Sequence, residues 1–222
     1  MTPLVIIGEG SFHAEMAAVI QPAKFAAMES VWETQKNAPY NLILIPDADN
    51  EKNSVESIGI PSFLSIIAYH DSNAEVKGLK EFPKEDRPPV TPTFLSFRLM
   101  VVLGFLFVVL SLLGVVFAKN DSLEKKKAYL TIMLFAIPLP YIAGQLGWLV
   151  AELGRQPWIV YGLLKTSDAV SKSIDTAQVA GSLIGFTLLY GSLAVVDIFL
   201  LTRNARKGPD DDLSFIIQTS RS

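Results

Sequence analysis

Apolar positions are unevenly spread along this chain. Three long apolar runs, residues 94–118, 128–151 and 179–201, occupy its second half. Each exceeds the roughly 20 residues that cross a hydrocarbon core, so three transmembrane helices are expected there. Residues 1–93 are polar, with scattered prolines and acidic residues. Within them, residues 22–34 predict a short amphipathic helix. Phe25, Met28 and Trp32 fall at i, i+3 and i+7 and share one face, and Pro22 lies at its first turn, where proline is tolerated. Residues 37–62 hold short apolar runs broken by Asn, Asp and Pro, which suggest turns and extended pieces rather than a large core. Residues 71–93 are charged and proline-rich and look like a linker or flexible loop. The expected fold is an all-α membrane protein. A polar region (1–93) precedes a transmembrane region (94–202) and a tail (203–222).

Flanking charge orients the spans. Lys119, Lys125, Lys126 and Lys127 follow the first run, and Arg203, Arg206 and Lys207 follow the third. Short basic flanks stay in the cytoplasm, and three spans put these two exits on one side. Residues 1–93 and the 155–178 loop are then extracytoplasmic, and 203–222 is a cytoplasmic tail. The opening MTPLVIIGEG has no basic start and too short an apolar core for a signal peptide. An extracytoplasmic start is therefore expected to depend on membrane helices ahead of it. Pro138 and Pro140 lie inside the second run and should kink it.

Composition narrows the function. Half of the 222 residues are apolar, and the mean hydropathy is positive, which fits a membrane protein with a polar part. The formal net charge of −3 offers no basic excess for nucleic acid. With no cysteine, disulfides, thiolate metal sites and c-type haem attachment are excluded. No internal repeat is visible. Paired prolines suit a broken transporter helix, but no second half mirrors them.

The candidate chemistry gathers near the ends of the runs. Gly147-Trp148-Leu149-Val150-Ala151-Glu152-Leu153-Gly154-Arg155-Gln156-Pro157-Trp158 closes the second. A carboxylate at membrane depth is a functional-site hypothesis by default. An arginine–glutamate interface anchor in an aromatic belt is the plainer explanation. Pro157 is expected to end that helix. Arg98 lies about one turn inside the first run and needs an anionic partner. Met100 follows about 3 Å deeper. A lone methionine is mostly core filler, but beside a buried arginine it can be an axial haem ligand. Lys24 and Glu29 sit on the expected short helix, about 140° apart around it. His13 and His70 lie in the polar region and are assigned to no iron.

GWLVAELGRQPW resembles the GW-x-x-x-E-x-GRQPW signature of subunit I of cytochrome bd ubiquinol oxidase, and Ser96-Phe97-Arg98-Leu99-Met100 is similar to that family's F-R-x-M stretch. Gln21-Pro22-Ala23-Lys24-Phe25-Ala26-Ala27-Met28-Glu29 looks like the start of its quinol-binding loop, here of the short kind. The resemblance runs from about Gly8 to Pro209 and corresponds to the C-terminal half of the subunit. It implies that Met100 binds the iron of a low-spin haem b and that Glu152 binds a high-spin haem iron. It implies that Trp148 lies against a haem macrocycle, and that Arg98 and Arg155 meet haem propionates. Lys24 and Glu29 would serve quinol oxidation. The implied cofactors are low-spin haem b, high-spin haem b and haem d, whose complete sites need histidines that this chain does not carry. The implied partners are ubiquinol or menaquinol, oxygen, lipid, the N-terminal half of the subunit and subunit II, in a bacterial inner membrane. The implied function is part of a quinol:oxygen oxidoreductase. The alternative is a non-catalytic membrane fragment or scaffold with incomplete haem sites.

Overall fold

The computed structural model describes residues 2–57, 59–171 and 173–207. The chain divides into two units, residues 1–169 and 170–222.

The first unit opens with helix α1 (Thr2–Ile20) and helix α2 (Pro22–Glu29). Helix α1 was not expected from the hydrophobic pattern. Its packing face is made of Ala14, Ala17 and Ala18, spaced i, i+3, i+4, and alanines give a weak amphipathic signal. Helix α2 starts at Pro22 as expected and stops five residues short of Thr34. Ser30 takes a left-handed conformation (φ 52°), and its N–H closes onto the carbonyls of Ala26 and Ala27. Phe25, Met28 and Trp32 are all buried, so the shared face holds although Trp32 lies beyond the helix.

Residues 35–76 add short antiparallel ribbons. Strand β1 (Gln35–Lys36) pairs with β6 (Glu75–Val76), β2 (Tyr40–Asn41) with β5 (Gly59–Ile60), and β3 (Leu44–Asp47) with β4 (Lys52–Glu56). Helix α3 (Phe63–Tyr69) lies between β5 and β6. The fold is thus mostly helical rather than all-α. Two expectations for this region need correction. Residues 37–62 do contribute to a core, through Ala38 and Leu44, and residues 71–93 are packed rather than a free linker. Val76 and Leu79 are 1% and 0% exposed. Both the N–H of Leu79 and that of Lys80 are held, by the carbonyls of Val31 and Trp32. The reason is size. This core is assembled from alanines and single larger side chains drawn from many short segments, so no one segment is apolar enough to announce it.

Helix α4 (Val90–Lys119) follows Pro89 and runs for 30 residues, about 45 Å. It begins four residues before the apolar run does, with Thr93 Oγ1 donating to the Pro89 carbonyl at 2.7 Å. The second apolar run is broken as its prolines predicted, into α5 (Lys127–Ala136) and α6 (Leu139–Leu153), with a 40° bend. Helix α6 ends at Leu153, four residues before Pro157, with Gly154 still in a right-handed helical conformation and its N–H donating to the Val150 carbonyl. Helices α4 and α6 pack along one another. Tyr129 Oη of α5 donates to the Leu110 carbonyl at 2.9 Å. That approach needs Gly114, where a Cβ would sit 2.6 Å from the hydroxyl. Strands β7 (Trp158–Val160) and β8 (Leu164–Lys165) form a hairpin after α6, and Lys165 pairs with Asp86 at 2.7 Å.

The second unit contains helix α7 (Thr176–Lys207), whose described side chains are all exposed. Helices α4 and α7 are each long and apolar enough to cross a membrane, and α5 with α6 makes a third span if the bent pair crosses as one.

Candidate functional site

The sequence-predicted residues of the first unit collect where α2, the start of α4 and the end of α6 come together. Glu29 closes α2, and its side chain is 5% exposed. Arg98 lies two turns into α4 and is 14% exposed. Arg98 Nη2 donates to Glu29 Oε2 at 2.7 Å. The guanidinium also lies over the rings of Tyr40, 4.6 Å from the centroid, and Phe94, at 5.2 Å. The anionic partner required of Arg98 therefore comes from the polar region. Burial dominates the carboxyl's behaviour: desolvation pushes Glu29 up to about 7, against the opposing charge and hydrogen bond of Arg98. A carboxyl poised there exchanges protons readily near neutral pH.

Lys24 projects from the other side of α2, as the 140° separation required, toward the end of α6. Its stem crosses Gly154: a Cβ on that glycine would lie 2.9 Å from Lys24 Cγ and 2.6 Å from the Val150 carbonyl. The glycine of the GRQPW string is therefore needed for close approach. Burial pushes the Lys24 ammonium below its ordinary value, the Arg155 charge lowers it further, and Glu152 opposes both. Arg155 Nη2 in turn donates to Glu152 Oε2 at 2.5 Å, with both side chains 40% exposed. Lys24, Glu152 and Arg155 thus form one cluster, and Glu29 with Arg98 a second.

Met100 lies on the α4–α6 seam. A Cβ on Gly147 would sit 3.2 Å from its Sδ, so Gly147 leaves room for the thioether. Trp148, next to that glycine, is 59% exposed. Trp158 stacks edge-on with Tyr161 at 6.1 Å and sits beneath Lys165.

These donors suit haem iron one position at a time. A thioether and a carboxylate are each accepted axial ligands, and Nε of Arg98 is buried without a hydrogen-bond partner, a donor suited to an anionic group such as a propionate. Among the described residues no three His, Cys, Asp or Glu side chains gather as a metal site. His70 contacts Glu15 at 3.2 Å, and His13 is exposed on α1.

Sequence reasoning missed the residues that support Glu29. Tyr40 carried no signal, since its place over Arg98 is set by the β2–β5 pairing. Asn53, on β4, organises the turn after α2. Its Oδ1 accepts from Ser30 Oγ at 2.7 Å and from Trp32 Nε1 at 3.0 Å, and its Nδ2 donates to the Ser30 carbonyl at 3.2 Å. Ser30's left-handed backbone is uncommon outside glycine, and this clamp holds it.

Residues 1–209 match the family profile described as cytochrome bd terminal oxidase subunit I. The chain is 36% identical to cytochrome bd ubiquinol oxidase subunit 1 of Bacillus subtilis (strain 168), over 91% of this chain and 45% of that protein. It is 29% identical to cytochrome bd-II ubiquinol oxidase subunit 1 of Escherichia coli (strain K12), over 93% and 53% respectively. The solved structure of bd oxidase from Geobacillus thermodenitrificans superposes with a TM-score of 0.73 and 32% identity, covering 90% of this chain and 45% of that one. The chain spans about half the length of the curated relatives it matches.

Proposed function

The chain belongs to the family of cytochrome bd terminal oxidase subunit I, and from that premise we propose that it is part of a quinol:oxygen oxidoreductase of the bacterial cytoplasmic membrane. In this reading, electrons pass from ubiquinol or menaquinol through haems to oxygen, which is reduced to water. The chain works with the remaining half of subunit I and with subunit II. The region 1–93 is the extracytoplasmic quinol-binding part. The observation that carries the reading is the buried Glu29–Arg98 pair. It ties the quinol-loop-like helix α2 directly to the helix that bears Met100.

Glu29 is the proton acceptor for a quinol hydroxyl. Its carboxyl is buried, held by one guanidinium hydrogen bond and balanced near neutrality, as a general base working at physiological pH should be. Arg98 holds that carboxyl in place and keeps Nε free for an anionic group. Lys24, across the helix, supplies a cation for developing quinolate charge and couples α2 to Glu152 and Arg155.

Met100 would hold the iron of a low-spin haem b through its thioether, and Glu152 a high-spin haem iron through its carboxylate, with Arg98 and Arg155 gripping propionates and Trp148 lying on a macrocycle face. When bound, the haems, low-spin and high-spin haem b and haem d, supply one-electron transfer and oxygen reduction. The histidine ligands that the family's iron sites also need would be supplied from outside this chain.

Glu29→Ala in a complex assembled with the other half of subunit I and subunit II tests the base. Quinol oxidation should fall by roughly 10²–10⁴, while oxygen reduction driven by an artificial donor that bypasses the quinol site persists. Equal loss in both assays would make Glu29 structural. A haem spectrum of the chain with and without the other half separates a haem-bearing part from a scaffold without iron. No haem in either case would establish the scaffold.

A further inference from the structure

Glu29 also lines a polar cavity of about 340 Å³, whose lining comes from residues between Glu29 and Lys80. The cavity's floor is buried, at Glu29, Leu44 and Leu64, and its rim is exposed, at Glu33, Lys52 and Glu56. We propose that this cavity is the route by which the proton taken up by Glu29 leaves the protein, with Glu56 as the acceptor at its mouth and Asn53 as the residue that positions the route. The proposal rests on the reading of Glu29 as the quinol's base.

The geometry is continuous from floor to rim. Ser30, the residue after Glu29, is clamped by Asn53 through its hydroxyl and its carbonyl. The same Asn53 amide donates to Glu56 Oε1 at 2.9 Å, and Asn41 Nδ2 reaches that oxygen at 3.3 Å. Asn53 thus joins the turn that carries Glu29 to the carboxylate at the rim. An amide does not relay protons at neutral pH, so Asn53 orients the walls and solvent in the cavity carries the proton. The wall charges are mixed: Glu33, Glu51 and Glu56 against Lys52 and Lys80. Lys80 pairs with Glu33, and Glu51 pairs with Lys84 and Arg87. Glu56 contacts amides only among its described partners. Besides the charged walls of the cavity, Glu29 interacts with Arg98 and Tyr40.

The step balances. A quinol O–H bond breaks and its proton binds the Glu29 carboxylate, while a bound haem would take up the accompanying electron as oxidant. The new Glu29 O–H bond then breaks toward cavity water, and the proton passes to Glu56 and on to bulk solvent. Glu29 is left ionised for the second hydroxyl.

The test uses the assembled complex in liposomes with a pH-sensitive dye in the outer medium and a short-chain quinol as donor. Glu56→Gln should slow proton release and turnover about tenfold, with quinol KM and haem spectra unchanged. Added imidazole, a small diffusible base, should restore release. Asn53→Asp, which keeps the acceptor for Ser30 and Trp32 but repels Glu56, should show the same rescuable defect. Wild-type release in both variants, or a defect that imidazole does not relieve, overturns the route. If Glu29→Gln is inactive while both variants release protons normally, the base stands and the route falls. Should Glu29→Gln turn over at the wild-type rate, the base itself is wrong.

Discussion

Glu29 and Arg98 stand 69 positions apart in the chain and meet through a single 2.7 Å hydrogen bond, with both side chains almost wholly covered. A buried ion pair is costly to assemble, and more costly to leave half made. Here one partner belongs to a segment outside the membrane helices and the other to a membrane helix. The contact therefore fixes how the polar region sits on the start of α4. It also lowers the proton affinity that burial gives Glu29, because among the described residues Arg98 is the cation that offsets the carboxyl's desolvation.

The first prediction concerns pH. Glu29 is raised from 4.5 to about 7 by burial. A carboxyl whose folded value is raised favours the folded state fully below pH 4.5, and that contribution is lost as pH rises through 7. The loss across this window is about 3 kcal/mol. Glu29→Gln should remove the slope, which thermal unfolding in detergent at pH 5 and pH 8 will show. Kinetically, only the ionised carboxylate accepts a proton. Wild-type kcat/KM for quinol should therefore fall about tenfold per pH unit below 7. Arg98→Leu should move that fall to higher pH by removing the offsetting charge, and a profile that stays put would detach Arg98 from Glu29.

The second concerns the α4–α6 seam. Met100→Leu keeps the packing volume against Gly147 nearly constant and removes the sulfur. In the assembled complex the low-spin haem spectrum should change to an altered or high-spin form. Gly147→Ala should give a milder shift, since its Cβ would press on Met100 Sδ from 3.2 Å. An unchanged low-spin spectrum in Met100→Leu would remove methionine from the ligand set.

The third compares Glu152 with Arg155. Glu152→Ala should lose a high-spin haem signal and oxygen reduction. Arg155→Lys should keep the haem but weaken its binding or shift its potential, because an ammonium cannot make a bidentate guanidinium contact. If the pair is only an interface anchor, both variants fold with every haem present. Haem stoichiometry of folded Glu152→Ala complex decides.

The fourth concerns orientation. A single cysteine at Lys126, in the basic loop between α4 and α5, should resist an impermeant thiol reagent added outside intact cells. Rapid labelling there would invert the topology and place α2 and its quinol-loop-like segment on the cytoplasmic face.

The membrane helices were legible because the property that defines them is local. A run of about 20 apolar residues is long enough to cross a bilayer whatever surrounds it, and Pro138 breaks its helix without help from any neighbour. Helical periodicity likewise separated Lys24 from Glu29 before any contact was known. What each then meets was decided only by the tertiary structure. The short helix packs on α4, so one face delivers Glu29 to Arg98, while Lys24 on the other side crosses Gly154 toward Glu152 and Arg155. Helix α1 left only a faint alanine spacing in the pattern, and Tyr40 and the Asn53 clamp left no trace. Their roles depend on alanine contacts, a two-residue strand pairing and a left-handed turn, which join residues distant in sequence by packing and hydrogen bonding, and neither has a period that a linear sequence displays.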